Sequence, residues 1–156
     1  MHDTRVETSP PSHVGSEEAI ARSIFSRNHV RRQTKVTFKA FDPPRNSDRP
    51  GTRLRDISVD RFDFLTETRA VQLGEERAVR RGTNVNFYGW AMHGVGEIRG
   101  DGRDVISTPS EVEDNPAHAD IRLPQSTTTN DEERKDHLMI LAECSQWVGR
   151  PDANST

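Results

Sequence analysis

Apolar positions recur along this chain at two different intervals, and each interval predicts a different element. Ile20, Ala21, Ile24 and Phe25 follow Ser16, Glu17 and Glu18. That spacing predicts a short helix over 17–26, with Ser16 as its cap and two acids at the positive end of its dipole. Val36, Phe38 and Ala40 instead alternate with Thr37, Lys39 and Phe41, the period of a strand. Pro43, Pro44, Pro50 and Gly51 break the chain after it, and Leu54, Ile57 and Val59 predict a second short strand.

Thr66 is placed to cap a helix over 66–81. Its core face is Ala70, Val71, Leu73, Gly74, Ala78 and Val79, and Gly82 is its stop. Asn84–His93 alternates on both faces, with Val85, Phe87, Gly89 and Ala91 against Tyr88, Trp90 and Met92, which predicts a central strand. Val105–Ile106 and Ala119–Leu123 predict two more strands. Leu138, Leu141, Cys144 and Val148 recur at helical spacing behind Asp131, Glu132 and Glu133, which predicts a last helix over 131–148.

The resulting order is α-β-β-α-β-β-β-α. It predicts an α+β fold: three helices packed on one face of a mostly antiparallel sheet of about 4–5 short strands.

Composition limits how much of the chain this core can occupy. Leu, Ile, Val and Phe supply about a fifth of the 156 residues, a low share for a compact domain. Residues 1–15 and 150–156 lack apolar periodicity and are expected to be disordered tails around a single domain over 16–149. One cysteine, Cys144, cannot form an internal disulfide or a thiolate metal cage, and its place on the core face of the last helix predicts a packed thiol rather than a nucleophile. No apolar run approaches the ~20 residues of a membrane span. The start, Met1-His2-Asp3-Thr4-Arg5, lacks the apolar stretch of a signal peptide. The expectation is a cytoplasmic protein.

Charge then changes the picture. Residues 22–61 hold eleven Arg and Lys against four Asp, whereas residues 82–156 hold six basic residues against thirteen acids. Such segregation gives either two solvated faces or a basic surface for an acidic or phosphate-bearing partner. Arg27-Asn28-His29-Val30-Arg31-Arg32, followed by Lys35 and Lys39, is the densest stretch. Cations beside one imidazole are suited to hold a phosphate and move a proton. Nucleic acid is one source of that phosphate, although the segment lacks the interleaved aromatics that stack single-stranded bases.

His118 and Asp120 lie two apart and share one strand face, so the carboxylate could orient the imidazole as a base, or the pair could begin a metal site. A metal would need a further ligand, from His29 or His93; neither a metal nor a cofactor is expected. Arg61, with Arg53 and Arg55 upstream, could anchor an anion or pair with Asp60 or Asp63. The glycines at 94, 96, 100 and 102 form neither a phosphate loop nor a dinucleotide fingerprint.

Four short motifs, Arg27-Asn28-His29, Lys39-Ala40-Phe41-x-Pro43, Ser58-Val59-x-Arg61 and Asn115-Pro116-x-His118-Ala119-x-Ile121, resemble a family of small uncharacterised bacterial proteins. The resemblance runs over roughly 22–148. It implies a bacterial source and carries no established activity.

Two functions follow as expectations. The first is a small accessory protein that presents a basic surface over 22–61, with Arg27, Arg31, Arg32, Lys35 and Arg61 as its binding residues, to another protein or assembly. The second is a small phosphate-handling enzyme, such as a metal-independent nuclease. In it His29 and His118, with Asp120, would act as acid and base.

Overall fold

The computed structural model describes residues 9–32, 34–43 and 48–151. The elements in chain order are β1 (Ala19–Ile24), β2 (Val30–Arg31), β3 (Lys35–Val36), β4 (Asp56–Arg61), α1 (Glu67–Arg81), β5 (Gly89–Gly94), α2 (Val95–Ile98), β6 (Asp104–Ser107), β7 (His118–Arg122), α3 (Asp131–Cys144) and β8 (Gln146–Gly149). Six strands form one antiparallel sheet in the order β6-β7-β4-β1-β5-β8, and β2 and β3 form a separate hairpin. The α+β expectation holds, with more strands than the alternation predicted. Among the described residues no helix is long and apolar enough to cross a membrane.

The largest correction is at 17–26, where the expected helix is strand β1 at the centre of the sheet, paired along its full length with β5. Ile20 and Ile24 lie four apart, a spacing that places two residues on one face of a helix and also on one face of a strand. Both faces of β1 are covered, so Ala21 and Ser23 on the opposite face are apolar or small as well, and the period of two is hidden. Ile20 and Ile24 join one core with Ile57, Val59 and Ile121 of the sheet and Leu138 and Leu141 of α3. Ala21 joins the other with Leu73 and Ala78 of α1 and Trp90 of β5. The helices therefore cover both faces of the sheet rather than one.

Three further boundaries move. The alternation at 36–41 gives only β3, after which Phe38–Phe41 tightens into a 3-10 turn that buries Ala40 and Phe41. The strand expected over 84–93 pairs only from Gly89. The last helix stops at Cys144, capped by Ser145, and the chain returns as β8 with Trp147 opposite Ala91. Gly89 has φ 143°, and a side chain there would strike the Val148 carbonyl, so glycine is what lets β8 close on β5.

The expected tail over 1–15 is docked where the structure describes it. Val14 is buried, and the Pro11, His13 and Val14 carbonyls accept hydrogen bonds from Arg61 and Arg99. Residues 1–8 lie outside the described residues. At the other end Arg150 donates its backbone N–H to Tyr88 and pairs with Glu75; residues 152–156 also lie outside them.

Phe87 is buried against Trp90 and Phe25, and its ring lies over Gly74, where a Cβ would come within 2.6 Å of it. Phe87→Ala is expected to cost about 3–5 kcal/mol in chemical denaturation. A loss below about 1 kcal/mol would show that the site collapses around the smaller side chain.

Candidate functional site

The site begins with an interruption in the sheet. β1 and β4 pair only at Ile20–Arg61 and Ala21–Asp60, and beyond these residues the strands part. Arg22, on the Ile20–Ile24 side of β1, fills the gap. Its Nη1 donates to the Ser58 carbonyl at 2.9 Å and its Nε to the Ala40 carbonyl at 3.2 Å. No carboxylate among the described residues pairs with this guanidinium. Burial, and then the charges of Arg81 and Arg77, pull its pKa down to about 10, so it stays charged at neutral pH.

A cleft opens over Arg22 with two lobes that share Arg22, Ser23, Phe25 and Arg81. One lobe, about 360 Å³, is also lined by Ser58, Arg77, Arg80, Glu113 and His118. The other, about 560 Å³, is also lined by Ser26, His29, Lys39 and Asp42. Segments 26–29, 39–43, 56–58 and 113–118, far apart in the chain, thus meet around one arginine.

The cations of the cleft differ in how far they are committed. Arg77 is fully engaged. It makes a two-point contact with Asp60 at 2.8 Å, another with Glu113 at 2.8 Å, and a bond to Ser23 Oγ. Burial works against the Arg77 charge, but the bonds to Asp60 and Glu113 outweigh it and raise the pKa. Arg80 shares Glu113 at 2.6 Å. Arg81 has no carboxylate partner among the described residues and lies over the Phe25 ring, 4.2 Å from its centroid. Its pKa is lowered by burial and by Arg77. Among the described residues, Arg22, Arg81 and Lys39 are therefore cleft cations that no carboxylate pairs with, Arg22 the most desolvated of them.

His118 is held at Nδ1, which is 2.9 Å from both the carbonyl oxygen and Oγ1 of Thr108. A carbonyl only accepts, so Nδ1 carries the proton and the lone pair of the neutral ring is on Nε2. The expected His118–Asp120 orienting bond is not made; Thr108 takes that role. Asp120 is half-buried on the same strand, its pKa raised by burial against the opposing charge of His118. Among the described residues no group of three His, Cys, Asp or Glu side chains is placed to hold a metal ion.

His29 lines the cleft from the other side. Its pKa is lowered by burial and then by Arg22, Lys39 and Arg81. His93 lies outside the cleft in the core, its Nε2 2.7 Å from the Leu141 carbonyl, and burial lowers its pKa as well. For both, the native state resists a proton that the unfolded chain accepts from pH 6.5 downward. Stability is therefore expected to be full above that pH and to fall as pH drops through it, seen as a lower melting temperature at pH 5.5 than at pH 7.5. An unchanged temperature would contradict this.

Arg61 is the clearest correction among the expected binding residues. Its side chain is fully buried away from the cleft, held by Glu18 through two 2.8 Å bonds rather than by Asp60 or Asp63. Arg53 and Arg55 are occupied too, by Asp42 and Pro43 and by Leu123 and Gln125. Arg27, Arg31, Arg32 and Lys35 are exposed, as expected, but they line other grooves rather than the cleft. Cys144 is half-buried with its thiol pKa raised, first by burial, in keeping with a packed residue.

The sequence reading missed Arg22, Arg77 and Arg81. The available signal for Arg22 was a charge set between Ile20 and Ile24, two residues from each, which marks an interrupted strand face once 19–24 is read as strand. No family model matches the chain, and no curated protein or solved structure matches it either.

Proposed function

We propose that the protein binds a phosphate-bearing ligand in the cleft and uses His118 as a base upon it. The observation that carries this reading is Arg22, a guanidinium fixed by two backbone carbonyls, lining a cavity and without a carboxylate partner among the described residues. A structural arginine at that depth would ordinarily be neutralised, as Arg61 and Arg77 are. Arg22 and Arg81 would take the anionic oxygens. His118 Nε2 would accept the proton of a water or ligand hydroxyl as that oxygen attacks phosphorus, and the imidazolium so formed would return it to the oxygen that leaves. His29, whose pKa is lowered by burial and by Arg22, Lys39 and Arg81, is not suited to carry that proton.

The test is turnover of bis(p-nitrophenyl) phosphate alongside binding of inorganic phosphate. His118→Ala should lower turnover by about 10²–10⁴-fold and leave phosphate affinity within about twofold, because one imidazole carries the proton transfer and little of the affinity. Equal turnover in wild type and variant would remove His118 from the chemistry.

A second reading is supported by the hairpin. Arg31 and Lys35 face each other across β2 and β3, both exposed and without carboxylate partners among the described residues. In this reading the protein is a cytoplasmic accessory factor whose basic surface meets an acidic macromolecule. Arg31→Glu with Lys35→Glu should then leave the melting temperature nearly unchanged and abolish a contact that also weakens steeply with salt.

A further inference from the structure

Beyond the 3-10 turn Arg27–His29 lies a second groove, of about 530 Å³, lined by Arg27, Val30, Arg32, Tyr88 and Trp147. The fold assembles here what the sequence keeps apart. Tyr88 leads into β5, Trp147 comes to the same groove on β8, the 3-10 turn brings up Arg27, and the turn of the β2–β3 hairpin brings up Arg32. Tyr88 and Trp147 are both half-buried, and the Arg27 guanidinium lies over the Tyr88 ring, 5.4 Å from its centroid. Arg27 and Arg32 are exposed and have no carboxylate partner among the described residues. Arg32 holds φ 51°, a backbone conformation that glycine or asparagine would adopt more cheaply. The turn is shared with the cleft, since Ser26 and His29 line the cleft and Arg27 lines the groove.

We propose that the phosphate-bearing ligand is a single-stranded nucleic acid. One of its phosphates sits on Arg22 in the cleft, and a base stacks in the Tyr88–Trp147 groove, with Arg27 and Arg32 against the next stretch of backbone. This rests on the reading of the cleft as a phosphate site. Aromatic faces flanked by unpaired arginines are the combination that holds unpaired bases without reading their identity. A duplex keeps its bases stacked on each other and cannot offer one to the groove. A free phosphate or phosphomonoester would leave the groove empty.

The full chain is titrated with a ten-nucleotide oligoadenylate, with a duplex of the same length, and with inorganic phosphate, while tryptophan emission is followed. Trp90 is buried, so quenching by a stacked base reports Trp147. The single strand should bind and quench, with an affinity that falls as salt rises; inorganic phosphate should bind without quenching. Tyr88→Leu, which keeps apolar bulk but removes the ring, and Arg27→Gln should each weaken oligonucleotide binding roughly fivefold or more and leave phosphate binding unchanged. The proposal is overturned if the single strand binds no better than inorganic phosphate, if the duplex binds better, or if Tyr88→Leu has no effect. Should the oligonucleotide bind and quench with equal affinity in Arg22→Ala, the groove stands and the reading of the cleft falls.

Discussion

Arg61→Ala is expected to destabilise the protein by about 3–5 kcal/mol, the cost of leaving one half of a buried ion pair behind. Glu18 would remain buried with its charge opposed by a 2.8 Å bond from the Gly15 backbone and by the charge of Arg99, with no direct ion-pair partner left. The Pro11 and His13 carbonyls would lose their donors, and the Phe64 ring would lose the guanidinium 4.9 Å from its centroid. Since about 1 kcal/mol moves the melting temperature by about 2–4 °C in a domain of this size, the drop should exceed about 6 °C. Glu18→Ala should be similarly costly because it strands the arginine. Replacing Glu18 with Leu and Arg61 with Met together should cost much less, since the charges leave as a pair. If Arg61→Ala loses under about 1 kcal/mol, Arg61 is not the tie between the N-terminal segment and the sheet.

The pair also has a pH signature. Burial pushes the Glu18 carboxyl up, but the bonds and charge of Arg61 outweigh it, and its pKa ends below the ordinary 4.5. A depressed carboxyl stabilises the native state above its unfolded pKa, so this contribution should be intact above about pH 5 and lost as the pH falls further.

Arg22→Ala should have the opposite profile, a large loss of ligand binding with a modest loss of stability. The residues of its two carbonyl partners, Ser58 and Ala40, each line a lobe of the cleft, where water can replace the guanidinium. The ligand would lose a charge-assisted, partly desolvated contact worth about 2 kcal/mol or more, roughly 30-fold in affinity. Arg22→Lys keeps the charge but not the fork that holds two carbonyls and an anion at once, so it should restore binding only in part. Arg31→Glu, outside the cleft, serves as the control. If Arg31→Glu weakens phosphate binding as much as Arg22→Ala, the long-range field of the basic segment is responsible and the cleft is not the site.

Where the sequence could be read, one face of an element was buried and the other solvated. Helix α1 is such an element: Thr66 accepts from the Arg69 N–H as its cap, and Ala70, Leu73, Gly74 and Ala78 are buried as their spacing predicts, although Val79, expected on the same face, is exposed. Strand β7 is another, with Ala119 and Ile121 inward and His118, Asp120 and Arg122 outward. The reading failed at β1, which is covered on both sides, and at the end of α3, where Trp147 and Val148 continue an apolar pattern although Ser145 ends the helix.

The candidate site was legible in part for a related reason. Motif residues marked His29 and His118, and both do line the cleft. Which arginines carry free charge was hidden, because that depends on partners far away in sequence. Arg77 is neutralised by Asp60 and Glu113 and Arg61 by Glu18, whereas among the described residues Arg22 is met by two carbonyls and no carboxylate. The aromatic groove was hidden likewise, since Tyr88 and Trp147 come to line one groove only when β8 pairs with β5.

The most direct measurement is a proton–nitrogen NMR spectrum of the arginine Nε groups, titrated with inorganic phosphate. Arg22 Nε, held by the Ala40 carbonyl, borders the space the anion would fill, whereas Arg77 Nε is already locked to Glu113. A saturable shift of the Arg22 signal, with Arg77 little changed and the response weakened by salt, is the predicted result. An Arg22 signal that stays still while exposed Arg31 and Arg32 shift without saturating would contradict the account.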